Sequence, residues 1–223
     1  MSRPWSIEDI SSRVPRVTEE TPRRPNRQQE RTERSTLALL QAASQLIVEG
    51  GLDSLTFAAI GERAGYSRGL LTARFGNKDG LIEALLEHIV SNWSHDDIAP
   101  DPSDDSGREA VIGLLGAITA QADRDPAGLR VLYALMFEAG SDQMLRGRFA
   151  EFHEAMRADF ETMIRRGKRD GSIDSKVSPR REAVLIVAGL RGIAYQWQLD
   201  PERFDPVDAL RYLVVTTEER LRT

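Results

Sequence analysis

The stretch TFAAIGERAGYSRGLLTARFGNK, Thr56 to Lys78, decides how this chain folds. Phe57, Ile60 and Ala64 recur at intervals of three and four and so fall on one side of a helix. Leu71 and Phe75 do the same in a second helix. Ala64-Gly65-Tyr66 separates the two, and Ser67 stands where an N-cap is wanted. The second segment turns Arg68, Gly69, Leu70, Thr72, Ala73 and Arg74 outward, and no acid lies between Ser67 and Asn77. Two short helices joined by a tight glycine turn, the second with an acid-free outer face, have the form of a helix-turn-helix, an element that reads DNA.

Working outward, a first helix is expected from Gln29 to Glu49, with Leu39, Ala43, Leu46 and Ile47 as its core stripe. Gly50-Gly51 ends it. Asn77 caps a fourth helix whose inward residues are Leu81, Leu85 and Ile89, with Trp93 as a further candidate. Lys78 falls in the first turn of that helix, against the helix dipole, at a cost of about 0.3–1 kcal/mol.

The frame of this stretch resembles the helix-turn-helix of the TetR (tetracycline-repressor-like) family of bacterial transcription regulators. The residues that carry the resemblance are Thr56, Ile60, Glu62, Arg63, Ala64, Gly65, Ser67, Arg68, Gly69, Leu71, Phe75, Lys78, Asp79 and Leu81, and the match runs from Ser35 to Leu86. Thr72 stands where the family usually has Tyr, and Leu70 where it has a small polar residue. The resemblance implies that these two positions face DNA, that Lys78 meets a phosphate, and that a ligand-binding and dimerisation domain follows.

The net charge of −5 is divided unevenly. Residues 1–94 hold 12 basic and 12 acidic side chains, and residues 95–223 hold 18 and 23, so the whole deficit lies in the second part. Arg23, Arg24, Arg27, Arg31 and Arg34 crowd one short stretch. Attraction to phosphate depends on such a local patch, not on the total. The chain has no cysteine, which excludes disulfides and thiolate metal sites and agrees with a reducing compartment. The N-terminal stretch has no apolar core of the signal-peptide kind, and no apolar run approaches the roughly 20 residues that span a bilayer. The expected location is the cytoplasm, with no membrane partner.

Residues 1–28, with Pro4, Pro15, Pro22 and Pro25 among polar residues, are expected to be a mobile arm whose Arg23-Arg24-Pro25-Asn26-Arg27 end suits phosphates or a minor groove. A solvated tail without a role is the other reading. Residues 29–77 form the DNA-binding unit and 78–94 a connecting helix. Residues 95–107 form a linker that holds five aspartates and two prolines. The spacing of those aspartates does not follow a calcium loop, and no metal site is expected.

Residues 108–223 show no strand-like alternation. Helices are expected at 108–123, 126–139, 142–168, 179–198 and 205–221, with Asp125-Pro126, Ser178-Pro179 and Asp205-Pro206 as cap-and-proline starts. The whole is thus an all-α chain of about nine helices. The helix over 179–198 is apolar round much of its circumference. Leu185, Gly189, Gly192, Ile193 and Trp197, with Leu210, Leu213 and Val214 of the last helix, are the candidates for a four-helix homodimer interface. The other reading is that they fill only the intrachain core. Tyr133, Met136, Phe137, Phe152, Met156 and Phe160 are candidates for an adaptable ligand pocket, or again for ordinary core.

The function expected is a sequence-specific transcriptional regulator: a homodimeric repressor on a palindromic double-stranded DNA operator, released by a small-molecule effector. Arg68 and Arg74 are the candidates for base edges or phosphates, and Leu70 for a thymine methyl. Thr56, Ser67, Thr72 and Lys78 would position the backbone, and Gly69 would admit close approach. No catalytic motif is present and His88, His95 and His153 have no metal-ligand spacing, so neither an enzyme nor a cofactor is expected. The alternatives are an α-helical interaction protein whose helix-turn-helix no longer reads DNA, and a regulator without a ligand.

Overall fold

The computed structural model describes residues 27–94 and 106–222. The expected N-terminal arm, apart from its last two residues, and nearly all of the acidic linker lie outside the described residues. Among the described residues there are nine α-helices and no strand: α1 Arg27–Gly50, α2 Phe57–Ala64, α3 Arg68–Phe75, α4 Lys78–Ser94, α5 Gly107–Arg124, α6 Pro126–Glu138, α7 Gln143–Asp170, α8 Pro179–Leu199 and α9 Pro206–Leu221. None of them is long and apolar enough to cross a membrane. The fold is all-α, as the periodicity predicts. Two compact units divide it, one built of the helices up to Asn92 together with Ala127–Glu138, the other of Trp93–Pro126 and Ala139 onward.

In the first unit Leu39, Ala43 and Ile47 of α1, Ile60 of α2, Leu71 of α3, and Leu81, Leu85 and Ile89 of α4 are buried. These are the residues that the three-and-four spacing turns inward. A single 3-10 turn, Leu52–Ser54, follows α1. Ser67 and Asn77 cap as read from the residues, and Thr56 is the cap of α2. Thr56 accepts from Ala59 N at 3.2 Å, Ser67 from Leu70 N at 3.3 Å and Asn77 from Gly80 N at 2.9 Å. Each satisfies a helix-start amide that lacks an intrahelical partner.

The α2–α3 turn depends on two glycines. Gly65 ends α2 in the left-handed conformation, at φ 73°, which costs a residue with a Cβ. Tyr66 N then reaches back to Gly61 O at 2.8 Å, the closure of a Schellman end. Gly61 is buried, and a Cβ placed on it would stand 2.6 Å from Tyr66 O and 3.6 Å from Leu71 Cδ1. The crossing of the two helices has no room for a methyl group. On the outside Arg63 pairs with Glu49 at 2.7 Å and holds that carboxylate below its usual pKa; so exposed a pair contributes little.

In the second unit α7 packs on α5 and α8, and α9 on α5 and α8. Phe160 and Ile164 of α7, Ile186 and Leu190 of α8 and Leu210 of α9 are buried. Ser106 and Glu109 form a capping box at the start of α5. Gly107 lies against the backbone of Gly167, where a side chain would collide. Glu182, nearly buried on α8, takes Arg220 of α9 at 2.8 Å, and Arg220 also donates to Thr217 Oγ1 at 3.0 Å. Asp205 caps α9 as expected. Ser178 makes no side-chain cap bond; α8 starts on the bond from Glu182 N to Ser178 O at 3.0 Å.

His153 of α7 is largely withdrawn from solvent beside Phe152, with ring centroids 6.0 Å apart. Burial, then the nearby Arg191 and Arg157 cations, lower its pKa to about 4. Unfolded, the imidazole takes a proton near 6.5. Between those values the unfolded chain binds the extra proton, so this group erodes stability as pH falls from about 6.5 toward about 4. Equilibrium unfolding of wild type and His153→Gln across that range should show a shallower decline for the variant. For the turn, Gly61→Ala should destabilise the first unit by about 1–3 kcal/mol, seen as a lower unfolding midpoint in thermal melts.

Candidate nucleic-acid interface

The second helix of the helix-turn-helix, α3, is held by few of its own residues. Leu71 is fully buried, Phe75 is half-buried, and Arg68, Gly69, Thr72 and Ala73 are exposed. At 100° per residue Arg68 and Thr72 share one edge of the helix, Gly69 and Ala73 its outer ridge, and Leu70 the opposite edge.

On the Arg68 edge there is a shallow depression of about 480 Å³ lined by Thr56, Phe57, Arg68, Thr72, Asn77 and Lys78 among others. Two helix starts, those of α2 and α4, meet here with two cations, and both features favour an anion. Lys78 Nζ donates to Leu52 O at 2.8 Å, which fixes the ammonium and answers its unfavourable position on the dipole. Thr72 Oγ1 donates to Arg68 O at 3.2 Å. On the Leu70 edge a second depression, of about 400 Å³, is lined by Gln28, Arg31, Thr32, Arg34, Ser35, Tyr66 and Leu70. Basic side chains therefore stand on both sides of the ridge. Such an arrangement can grip two phosphate backbones while the ridge enters the groove between them.

Of the residues expected to meet DNA, Thr56, Ser67, Arg68, Gly69, Thr72 and Lys78 are exposed on or beside this surface and Leu70 is half-buried at its edge. Arg74 is placed otherwise. Its guanidinium turns back to α1, where Nη1 donates to Thr36 Oγ1 at 2.6 Å and Thr32 O at 3.2 Å, and Nη2 to Ser35 Oγ at 3.4 Å. Arg31 and Arg34, marked in the sequence by the charge cluster, line this surface with Thr32; Ser35, which is buried, and Thr36 hold Arg74 against α1, a role that apolar spacing does not select. The signal was there in the run of hydroxyls at three- and four-residue intervals on α1.

In the second unit Phe152 and Met156 sit a turn apart on α7, where Arg191 of α8 lies over the Phe152 ring at 5.5 Å from its centroid and donates to Met156 Sδ at 3.3 Å. Phe160 is fully buried. In the first unit, Tyr133 of α6 is buried, Met136 half-buried and Phe137 exposed. Of the dimer candidates, Trp197 and Leu210 are buried within the chain. Gly189 serves an intrachain approach, since a Cβ there would stand 2.8 Å from Leu213 Cδ1. Leu185 and Gly192 are exposed, and Ile193, Leu213 and Val214 half-buried. Val184, Tyr195, Leu199, Tyr212 and Val215 are exposed apolar residues beyond those expected.

Residues 39–85 match the family profile described as bacterial regulatory proteins, tetR family, and residues 107–221 that described as BetI-type transcriptional repressor, C-terminal. The HTH-type transcriptional regulator TtgR of Pseudomonas putida is 24% identical over 204 residues, 88% of this chain and 95% of that protein. The HTH-type transcriptional regulator BetI of Burkholderia cenocepacia is 40% identical over 57 residues, 25% of this chain and 29% of that one. Among solved structures, a transcriptional regulator of Saccharomonospora viridis in complex with choline superposes with a TM-score of 0.71 at 16% identity, over 86% of this chain and 99% of that one. With a helix-turn-helix of this geometry ahead of an all-α C-terminal part, and profiles matching both, the chain belongs to the TetR family of DNA-binding transcriptional regulators.

Proposed function

We propose that the protein is a homodimeric repressor of the cytoplasm that holds a palindromic operator and leaves it when a small molecule binds the C-terminal part. The observation that carries the DNA side of this reading is the ridge of α3 flanked by cations. Arg68 and Lys78, with the Thr56, Ser67 and Thr72 hydroxyls nearby, suit one phosphate backbone, and Gly69 and Leu70 lie where base edges would come.

Gly69 supports the reading independently. A Cβ added there meets only Ser67 Oγ, at 3.8 Å, so the fold gives no reason for a glycine on this helix. A partner that must come close does.

The dimer reading rests on the apolar face that this chain leaves open. On α8 Leu185, Ala188, Gly192, Tyr195 and Leu199 follow at intervals of three and four, and on α9 Tyr212 and Val215 lie one turn apart. Leu185 is 55% exposed, Leu199 67% and Tyr212 71%. A continuous apolar face of this size on a soluble surface calls for a partner, and a second copy supplies the same face in a two-fold arrangement. The Glu182–Arg220 pair ties the two helices, so they would enter the interface together.

The ligand side is carried by the C-terminal match to BetI-type repressors and by the Phe152, Met156 and Arg191 group. The ligand would act by binding better to a subunit arrangement that does not fit the half-site spacing. Choline, bound by the Saccharomonospora protein, is a first compound to test. The Phe152 ring already carries the Arg191 guanidinium, so a quaternary ammonium would have to displace a cation there.

Selection from a random DNA pool should enrich a two-fold-symmetric site bound at least about 10³ more tightly than unselected DNA; absence of enrichment by a folded dimer would sink the regulator reading. Gly69→Ala should leave thermal stability unchanged or higher, since alanine favours a helix by about 0.8–1 kcal/mol, while lowering affinity for the selected site. Leu185→Glu should sediment as a monomer with wild-type helix content and lose operator affinity; a variant that stays dimeric would move the interface elsewhere.

A further inference from the structure

The donors that read guanine in the major groove are arginine and lysine, and those that read adenine are side-chain amides. The ridge of α3 has neither. Gly69 and Ala73 form it and Leu70 borders it. One guanidinium of the helix, that of Arg74, is bonded to Thr36 Oγ1, Thr32 O and Ser35 Oγ of α1 at 2.6, 3.2 and 3.4 Å. Arg68 lies on the edge shared with Lys78, in the depression that two helix starts make favourable to anions. What remains toward the base edges is small and apolar. The apolar group that the major groove offers in return is the C5 methyl of thymine.

From this we infer that α3 reads its half-site through thymine methyl groups packed on Leu70 and Ala73, with Arg74 acting as a positioning residue that holds the helix against α1. The inference rests on the regulator reading above and names the chemistry of that same site. Arg74 sets the depth and tilt of the ridge through three residues of α1 and makes no DNA contact.

The experiment uses the full chain and its selected operator. Each thymine of one half-site is replaced in turn by deoxyuridine, which removes only the methyl, and each guanine by 7-deazaguanine, which removes only the N7 acceptor. Loss of a contacted methyl is expected to weaken binding about fourfold, the equivalent of one buried methylene-sized group. Leu70→Ala, at a half-exposed position the fold tolerates, should abolish the thymine-over-uracil preference where Leu70 packs. Arg74→Gln should weaken binding to thymine and uracil operators alike and leave the slope of affinity against salt unchanged. Because the base replacements alter only the DNA, their outcome does not depend on how a variant folds.

Three results would overturn the inference while leaving the regulator intact: indifference to uracil at every half-site position, a 7-deazaguanine penalty that Arg74→Gln abolishes, or a salt slope that Arg74→Gln lowers by about one, the mark of a lost phosphate contact. Failure of the pool to yield any preferred site would remove the regulator reading, and this one with it.

Discussion

Gly61 passes so close to the carbonyl of Tyr66 that no methyl fits between them. The angle between α2 and α3 follows from that contact, because van der Waals repulsion between backbones rises too steeply to be traded against a side-chain adjustment. The left-handed Gly65 brings the chain round, the Tyr66 N–H closes the turn on Gly61 O, and Leu71 then has only the core in front of it. Once that angle is set, the positions of Arg68 beside Lys78 and of Leu70 beside Arg31 are consequences. The bonds from Arg74 to α1 add a second point of support at the far end of the same helix, so α3 is fixed at both ends while its outer side stays bare.

Much of this was legible in the residues. Apolar spacing identified the buried set of the first unit because one face of each short helix does nothing but fill the core, and the caps Ser67 and Asn77 were legible because each bonds its own chain within three residues. Gly61 was not, since its role is a distance to a residue beyond the turn. The placement of Arg74 was hidden for a related reason. An arginine on an outward face reads as available, whereas its guanidinium reaches a helix 38 to 42 residues away in the chain, and a long flexible side chain has no periodicity to declare its partner.

The second unit was legible as helices and less so as surfaces. Composition marked α8 as apolar round its circumference but could not divide that circumference between the chain's own core and a partner. Trp197 faces inward and Leu199, two residues on, faces out; the two differ by the direction of a helix side, which depends on where α7 and α9 lie. Gly189 likewise read as a site for another helix to approach, and the helix that approaches is α9 of the same chain. The Phe152–Arg191 and Phe152–His153 contacts escaped notice because they join residues of different chemical class, which hydrophobic spacing does not count.

The bareness of α3 has a bearing on how such proteins diversify. Of the eight residues Arg68–Phe75, Leu71 alone is buried, and Gly69, Leu70, Thr72 and Ala73 give the fold little or nothing that another residue would not give. Substitutions there change what the helix presents without first having to be rescued by a stabilising change elsewhere. Descendants of a duplicated copy can therefore drift to new target sites by single steps through folded intermediates, while the turn at Gly61 and the tether at Arg74 keep each new surface aimed the same way.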